Sequence, residues 1–368
     1  MKNTIGSSIT LTLFGESHAD SIGAVIDGMP AGIPIDMQAV QMMMDRRRAQ
    51  GTLSTARHEE DLPHFLCGVR NGYTEGTPIA IVIDNKDVHR SDYDELKGIA
   101  RPGHADYAAQ MKYEGWQDAS GGGHFSGRLT APLTAAGAIF MQMLRTKGIR
   151  VATHIQSIHG INDDCFEMDI IESQMDALNQ SSFAAISSAS AECMKQEIEN
   201  ARMHQDSVGG VLETIAVGLM PGIGEPAFDS LESELAHAMF SIPAVKGIEF
   251  GSGFHLADMK GSEANDPFRM NDGKIASKTN NSGGINGGIS NGMPIVFRTA
   301  IKPTPSIGLP QKTVSFETNS NTDISIHGRH DPCIAVRAAA VQDSMTAFVL
   351  CDLLMQRFGT IFFQRKKS

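Results

Sequence analysis

Cysteine is scarce and scattered in this 368-residue chain: Cys67, Cys165, Cys193, Cys333 and Cys351, with no C-x-x-C pair. An odd, dispersed set argues against a disulfide framework and a zinc site, so reduced thiols, a cytoplasmic location and no bound metal are expected. Basic residues are also short, 31 Lys and Arg against 42 Asp and Glu. The resulting net charge of −11 argues against general binding to nucleic acid or to an anionic membrane. Residues 1–14 include Gly6, Ser7 and Ser8 and lack a continuous apolar core, so a signal peptide is not expected. No uninterrupted apolar run reaches the length of a membrane span. What is present is 41% hydrophobic residues and 37 glycines, enough for two domains or one large one. An acidic chain can still hold an anion where its arginines gather.

The densest stretch runs from Arg101 to Arg128. Pro102 biases Arg101 away from helix and Gly103 allows a sharp turn, so His104 is presented on a loop. Gly121, Gly122 and Gly123 then bring bare backbone close to something bulky or anionic. Thr130-Ala131-Pro132 reads as a helix start, with Thr130 as N-cap and Pro132 near the first turn. A glycine loop feeding a helix N-terminus suits phosphate. Most such turns are plain surface loops. Two histidines and two arginines within this one make it a candidate site.

Earlier in the chain, a strand over Ile9–Phe14 runs into Gly15-Glu16-Ser17-His18-Ala19-Asp20. His18 alone would more often be structural; beside Ser17 and two carboxylates it becomes a general-acid candidate. Asp36 is placed to cap a helix that ends in Arg46-Arg47-Arg48. These cations suit a helix C-terminus, but with Arg57 close behind they equally suit an anion.

The sequence also repeats itself. His18-Ala19-Asp20-Ser21-Ile22-Gly23-Ala24-Val25 returns as His204-Gln205-Asp206-Ser207-Val208-Gly209-Gly210-Val211. Met29-Pro30-Ala31-Gly32-Ile33 and Gly76-Thr77-Pro78-Ile79 have later counterparts at 220–223 and 292–295, and a second Asp-capped helix is expected at Asp229, closed by Glu232. Three matches in one order argue for a duplicated α+β unit with halves of about 1–148 and 204–368 and a helical insertion at about 160–203.

Gly15-Glu16-Ser17-His18, Arg46-Arg47-Arg48, Arg101-Pro102-Gly103-His104-Ala105-Asp106-Tyr107, the triple glycine, Ser241-Ile242-Pro243-Ala244-Val245-Lys246-Gly247 and Gly328-Arg329-His330-Asp331-Pro332-Cys333 together resemble the chorismate synthase family across the whole chain. The resemblance implies an α+β fold, an internally duplicated β-α-β sandwich of antiparallel sheets covered by helices. It implies a homotetrameric lyase that eliminates phosphate from 5-enolpyruvylshikimate 3-phosphate in the 1,4-anti sense, using reduced FMN with no net redox change. It places catalysis on His18, His104 and Asp331. FMN would be held by His124, Phe125, Ser126, Ala244, Gly287, Lys302, Pro303, Thr304, Pro305, Ser306 and Arg329. The anionic substrate would be held by Ser17, Arg48, Arg57, Arg128 and Arg337, with Arg46 as a possible helper.

Two departures stand out. His124-Phe125-Ser126-Gly127-Arg128 replaces the usual Arg-Ser-Ser-Ala-Arg, with Phe125 expected to point away from the flavin, and Leu53 stands near where a second arginine is expected. No separate nucleotide-binding fingerprint is present, so an external reductant for the flavin is favoured. The alternatives from the residues alone are a flavin-dependent oxidoreductase, or a non-catalytic phosphometabolite-binding protein.

Overall fold

The computed structural model describes residues 2–48, 60–86, 98–118, 120–271, 273–326 and 331–364. Arg57, Leu53 and Arg329 lie outside them. Two five-stranded antiparallel sheets dominate. The first runs Thr4–Ile5, Thr10–Gly15, Ser21–Asp27, Ile79–Asp84, His64–Cys67 in spatial order. Taken from its own edge, the second runs Ile161–Asn162, Arg150–Ile158, Gly210–Val217, Ile295–Ile301, Val245–Phe250. The two orders agree over their last three strands: in each sheet the third strand in sequence is followed by the fifth and then the fourth, while the first two strands are exchanged. The strand Arg150–Ile158 belongs to the second sheet, so helices Ile171–Gln180 and Ser188–Met203 fall inside that sheet's sequence. The helical stretch therefore falls between strands of the second sheet in sequence.

Helices Thr130–Arg145 and Ala335–Phe358 form the middle layer. The first packs on strands 21–27 and 79–84, the second on 150–158 and 210–217, and the two pack on each other. Gly137 permits their close approach, since a Cβ there would lie 2.1 Å from Ser344 Cβ. Phe140 and Phe348 meet with ring centroids 5.4 Å apart. Apolar burial of this kind is the main driving force for the sandwich. By length and composition Ala335–Phe358 passes as a membrane span despite its polar interruptions, yet its apolar window is wholly buried here. It is a core helix.

Local capping follows the sequence at Asp36 and departs from it at two other helices. Asp36 accepts from Gln38 and Ala39 N–H, as expected of an N-cap. The helix at Leu231–Phe240 is capped by Ser230, not Asp229, because Ser230 Oγ accepts from Ser233 N–H at 3.1 Å while Asp229 takes φ = 57°. Thr130 is likewise not a cap. A short 3₁₀ turn over Gly127–Leu129 precedes it, and its hydroxyl donates to Gly127 O at 2.6 Å.

Candidate active site

Antiparallel pairing brings the end of Thr10–Gly15, the start of Ser21–Asp27 and the end of Ile79–Asp84 to one end of the first sheet, with Gly15 opposite Ile22 and Ser21 opposite Asp84. The loop 16–20 and Asn85 therefore meet. Asn85 Nδ2 donates to Ala19 O at 2.8 Å and Glu16 O at 3.3 Å, and its backbone N–H donates to Asp20 O. This fixes the chain around Ser17 and His18, both buried.

The triple glycine closes over that loop. Gly121, Gly122 and Gly123 take φ of 61°, 103° and 51°, conformations that L side chains rarely adopt. Ser17 N–H donates to Gly123 O at 3.1 Å. A Cβ on Gly121 would stand 2.0 Å from His18 Cε1, and one on Gly122 would stand 3.3 Å from both Cε1 and Nε2 of His104. Successive glycines thus lie against the two candidate histidines. Their absence of side chains is what lets both imidazoles sit at one turn.

His104 is oriented from behind. Its Nδ1 lies 2.7 Å from Asp106 Oδ1 and 3.1 Å from Arg101 Nη2, and Arg101 clasps Asp106 with Nε and Nη2, each at 2.7 Å. Burial opposes the charge on Asp106, but the hydrogen bonds from Arg101 and His104 outweigh it and hold its carboxyl well below the usual range. An ionised Asp106 at Nδ1 leaves Nε2 as the working nitrogen toward the glycine turn. Neither Arg101 nor Asp106 was singled out as an orienting group, although both belong to the Arg101–Tyr107 stretch. The signal was a carboxylate two residues after a loop histidine.

The loop 302–306 lies alongside. Lys302 Nζ donates to Gly103 O, and a Cβ on Gly103 would be 3.2 Å from Pro305 Cβ. Burial, then the nearby Lys246, lowers the Lys302 pKa. Lys302 N–H donates to Ala244 O at 3.0 Å, with Ala244 at φ = 74°. Thr304 O accepts from Ser207 Oγ at 2.7 Å, whereas Thr304 Oγ1 is a buried hydroxyl without a partner among the described residues. Pro303 packs near Gly209, and Ser306 is buried. His124 Nδ1 lies 2.9 Å from Gly15 O, and Ser126 Oγ accepts from Arg128 N–H. Phe125 is half-exposed, its ring centroid 6.3 Å from that of Tyr113. Together with Arg101, Asp106, Gln117 and Phe316 it lines a cleft of about 280 Å³. Gly287 sits apart from these contacts, at the tip of a hairpin whose Gly288 packs on Glu225 and Ser230.

The arginines sort differently from expectation. Arg128 donates from Nε to Asn85 Oδ1 at 2.9 Å and from Nη1 to Asp61, which ties it to the His18 loop. Arg337 donates from Nη1 to Asp331 Oδ2 at 2.6 Å and from Nε to Arg47 O at 2.9 Å. Asp331 is thus on Arg337; the helix after it starts at Ala335 behind Ile334, with no side-chain cap. Arg48 turns to Asp45 on its own helix, with its side chain 35% exposed. Arg46 pairs with Asp343 at 2.9 Å inside the core. Arg47, buried, holds the centre instead, donating to Thr130 Oγ1, Gly127 O and Asp61. Burial and then Arg337 lower its pKa to about 9 against the pull of Asp61. Three arginines in a row gave no hint of which one joins Asp61; that depends on helix 130–145 and on Asp61 itself.

A continuous bonded path therefore joins the loop of His18 through Asn85, Arg128, Asp61, Arg47 and Arg337 to Asp331. His104 lies on the same glycine turn, so one bonded system connects the surroundings of two imidazoles with a carboxylate and several guanidiniums. Such a set can bind a multiply charged anion and move protons on it.

Comparison with known proteins places this architecture. The family model described as chorismate synthase matches residues 9–355. The chorismate synthase of Korarchaeum cryptofilum is 46% identical over 355 residues, 95% of this chain and 97% of that protein. The chorismate synthase of Pyrococcus abyssi is 46% identical over 352 residues, 96% of this chain and 97% of its own. A crystal structure of chorismate synthase superposes with a TM-score of 0.76 at 27% identity, covering 96% of this chain and 94% of that one. From the motif order, the shared sandwich and these relatives, the chain belongs to the chorismate synthase family, enzymes that eliminate phosphate as lyases.

Proposed function

We propose that this chorismate synthase converts 5-enolpyruvylshikimate 3-phosphate to chorismate by 1,4-anti elimination at the junction of the glycine turn and the arginine cluster, with reduced FMN as cofactor. The observation that carries the reading is the packing of His18 and His104 on successive glycines of one turn, with the His18 loop joined through Asn85 and the arginines to Asp331. The residues present fit a flavin. Gly121–Gly123 offer bare backbone, Lys302 and Pro305 abut Gly103, and the buried Thr304 hydroxyl awaits a partner. The loops 124–126 and 302–306, with Ala244, Gly287 and Arg329, would hold it. When bound, reduced FMN supplies transient electron density that helps phosphate leave, with no net redox change.

The protein's own groups do the rest. Arg128 and Arg337, with Ser17, Arg48 and Arg57 in support, hold the carboxylates and phosphate of the substrate. His18 protonates the departing phosphate. His104, fixed by Asp106, presents Nε2 to the cofactor side and balances charge there. Asp331, kept near Arg337, receives the proton lost from the ring carbon. An external reductant, a cytoplasmic location and duplicated halves complete the reading; the shared order of the last three strands of each sheet supports the duplication. A homotetramer is supported by the exposed apolar side of the hairpin 268–277, where Phe268, Met270 and Ile275 share one face.

An anaerobic assay with chemically reduced FMN and substrate tests the reaction. Many chorismates per flavin, with no reductant consumed, are expected; stoichiometric flavin oxidation would indicate an oxidoreductase instead. In the same assay Asp331→Asn is expected to bind substrate yet lose at least about a hundredfold in kcat, the low end of general-base effects.

A further inference from the structure

Two of the buried arginines share a carboxylate that the motifs did not single out. Asp61 is 4% exposed, and its backbone takes φ = 47°, a region that is strained for a residue with a side chain. One of its oxygens accepts from Arg47 Nη1 at 3.0 Å, and the other accepts from Arg128 Nη1. Burial works against its charge, but Arg47 and then Arg128 outweigh that and hold its carboxyl below the usual range. Arg47 passes the constraint on: Nε donates to Thr130 Oγ1 at 2.8 Å, and its carbonyl accepts from Arg337 Nε at 2.9 Å. Without Asp61, Arg47, Arg128 and Arg337 would repel one another in a largely buried site with Asp331 as the remaining named counter-charge. They would splay apart. Charge-assisted forks of this kind fix direction as well as energy.

We propose that Asp61 is a positioning residue that presets Arg128 directly, and Arg337 through Arg47, for the anionic groups of the substrate. This deepens the proposed function, because it rests on Arg128 and Arg337 holding substrate. Asp61 itself does not touch substrate: both of its oxygens are engaged by guanidiniums. Asp61→Asn turns one of those oxygens into a donor that cannot face a guanidinium, while Asp61→Glu keeps the charge.

The test uses the flavin-free protein and titrates 5-enolpyruvylshikimate 3-phosphate by calorimetry, with FMN affinity measured separately by fluorescence. Asp61→Asn is expected to raise the substrate Kd by about tenfold or more and to leave FMN affinity within about twofold, with Asp61→Glu recovering most of the loss. A merely structural role would lower both affinities together and would overturn the assignment. A substrate Kd within about twofold of the wild type in Asp61→Asn would overturn it too, as would no recovery in Asp61→Glu. If Asp61→Asn does not fold, Thr130→Val carries the test, since it loosens Arg47 without changing charge. A rise of about threefold in substrate Kd supports the proposal and an unchanged value refutes it. Wild type that binds substrate but forms no chorismate would remove the proposed reaction and leave Asp61 standing. Wild type that binds no substrate would remove both.

Discussion

His18 and His204 open nearly the same words, H-A-D-S-I-G-A-V and H-Q-D-S-V-G-G-V, and each leads into the third strand of its sheet. Their fates differ. His18 is buried against the glycine turn, whereas His204 is exposed, ends the helix Ser188–Met203 and sets Nδ1 2.7 Å from Asn200 O of that same helix. The local sequence is not what separates them. The difference lies in what arrives from elsewhere: Gly121–Gly123 close over the first loop, while the second is delivered by a helix that the first half lacks. What buries one histidine and not the other is a long-range partner without side chains.

The largest effect that could break this contrast is on turnover. His18→Ala is expected to lose at least about a hundredfold in kcat, as for removal of a general acid, while His204→Ala stays within about twofold. Steady-state chorismate formation by both variants measures it, and equal losses would erase the contrast. Next comes binding. Arg128→Ala removes the cation tied to the His18 loop through Asn85 and should cost about 2–5 kcal/mol of substrate affinity, as when a desolvated pair is broken. Calorimetry reads that loss directly. Gly121→Ala sharpens the comparison further, since its methyl would collide with His18 Cε1 at φ = 61°. Overpacking of this kind costs about 1–3 kcal/mol, and it should appear in kcat more than in the melting temperature.

The smallest effect belongs to the second sheet, whose histidine serves structure. His154, on the strand Arg150–Ile158, is fully buried between Asp163 at 2.9 Å and Glu213 at 3.3 Å. Asp163 also accepts from Ile186 and Ser187 N–H, fastening the helical stretch to the sheet. Burial lowers the His154 pKa, but the two carboxylates outweigh it and raise the value above the ordinary one. A raised folded-state pKa stabilises fully below the unfolded value of about 6.5, and that contribution is lost as pH rises through the folded value. Thermal melts across this window should therefore fall with rising pH for wild type, and His154→Gln should flatten the slope. An unchanged slope in that variant would assign the pH dependence elsewhere.

Much of this was legible from residues because the motifs carry their own backbone demands. Pro102-Gly103 announces a loop, three glycines announce close approach, and Asp36 before an apolar period announces a helix. The repeat fits two sheets that share the order of their last three strands. What could not be read is which of three adjacent arginines joins the Asp61 cluster. Arg47 does so because Thr130, Gly127 and Asp61 await it, contacts set by helices and loops far away in sequence. Ser230 in place of Asp229 as a cap is a smaller case of the same kind: two good capping residues stand side by side, and the backbone path into the helix chooses. Asp106 as the orienting group of His104 was within reach of sequence reasoning, since the pair sits in one turn.

A crystal structure with FMN and unreacted substrate tests most directly whether the glycine turn and the arginine–Asp331 path form one reaction site. The account predicts the flavin against Gly121–Gly123 and His104, and the substrate anions on Arg128 and Arg337. It also predicts His18 within hydrogen-bond reach of the phosphate ester, about 2.6–3.2 Å. FMN bound away from the glycine turn, or a substrate that leaves His18 and Asp331 out of reach, would contradict it.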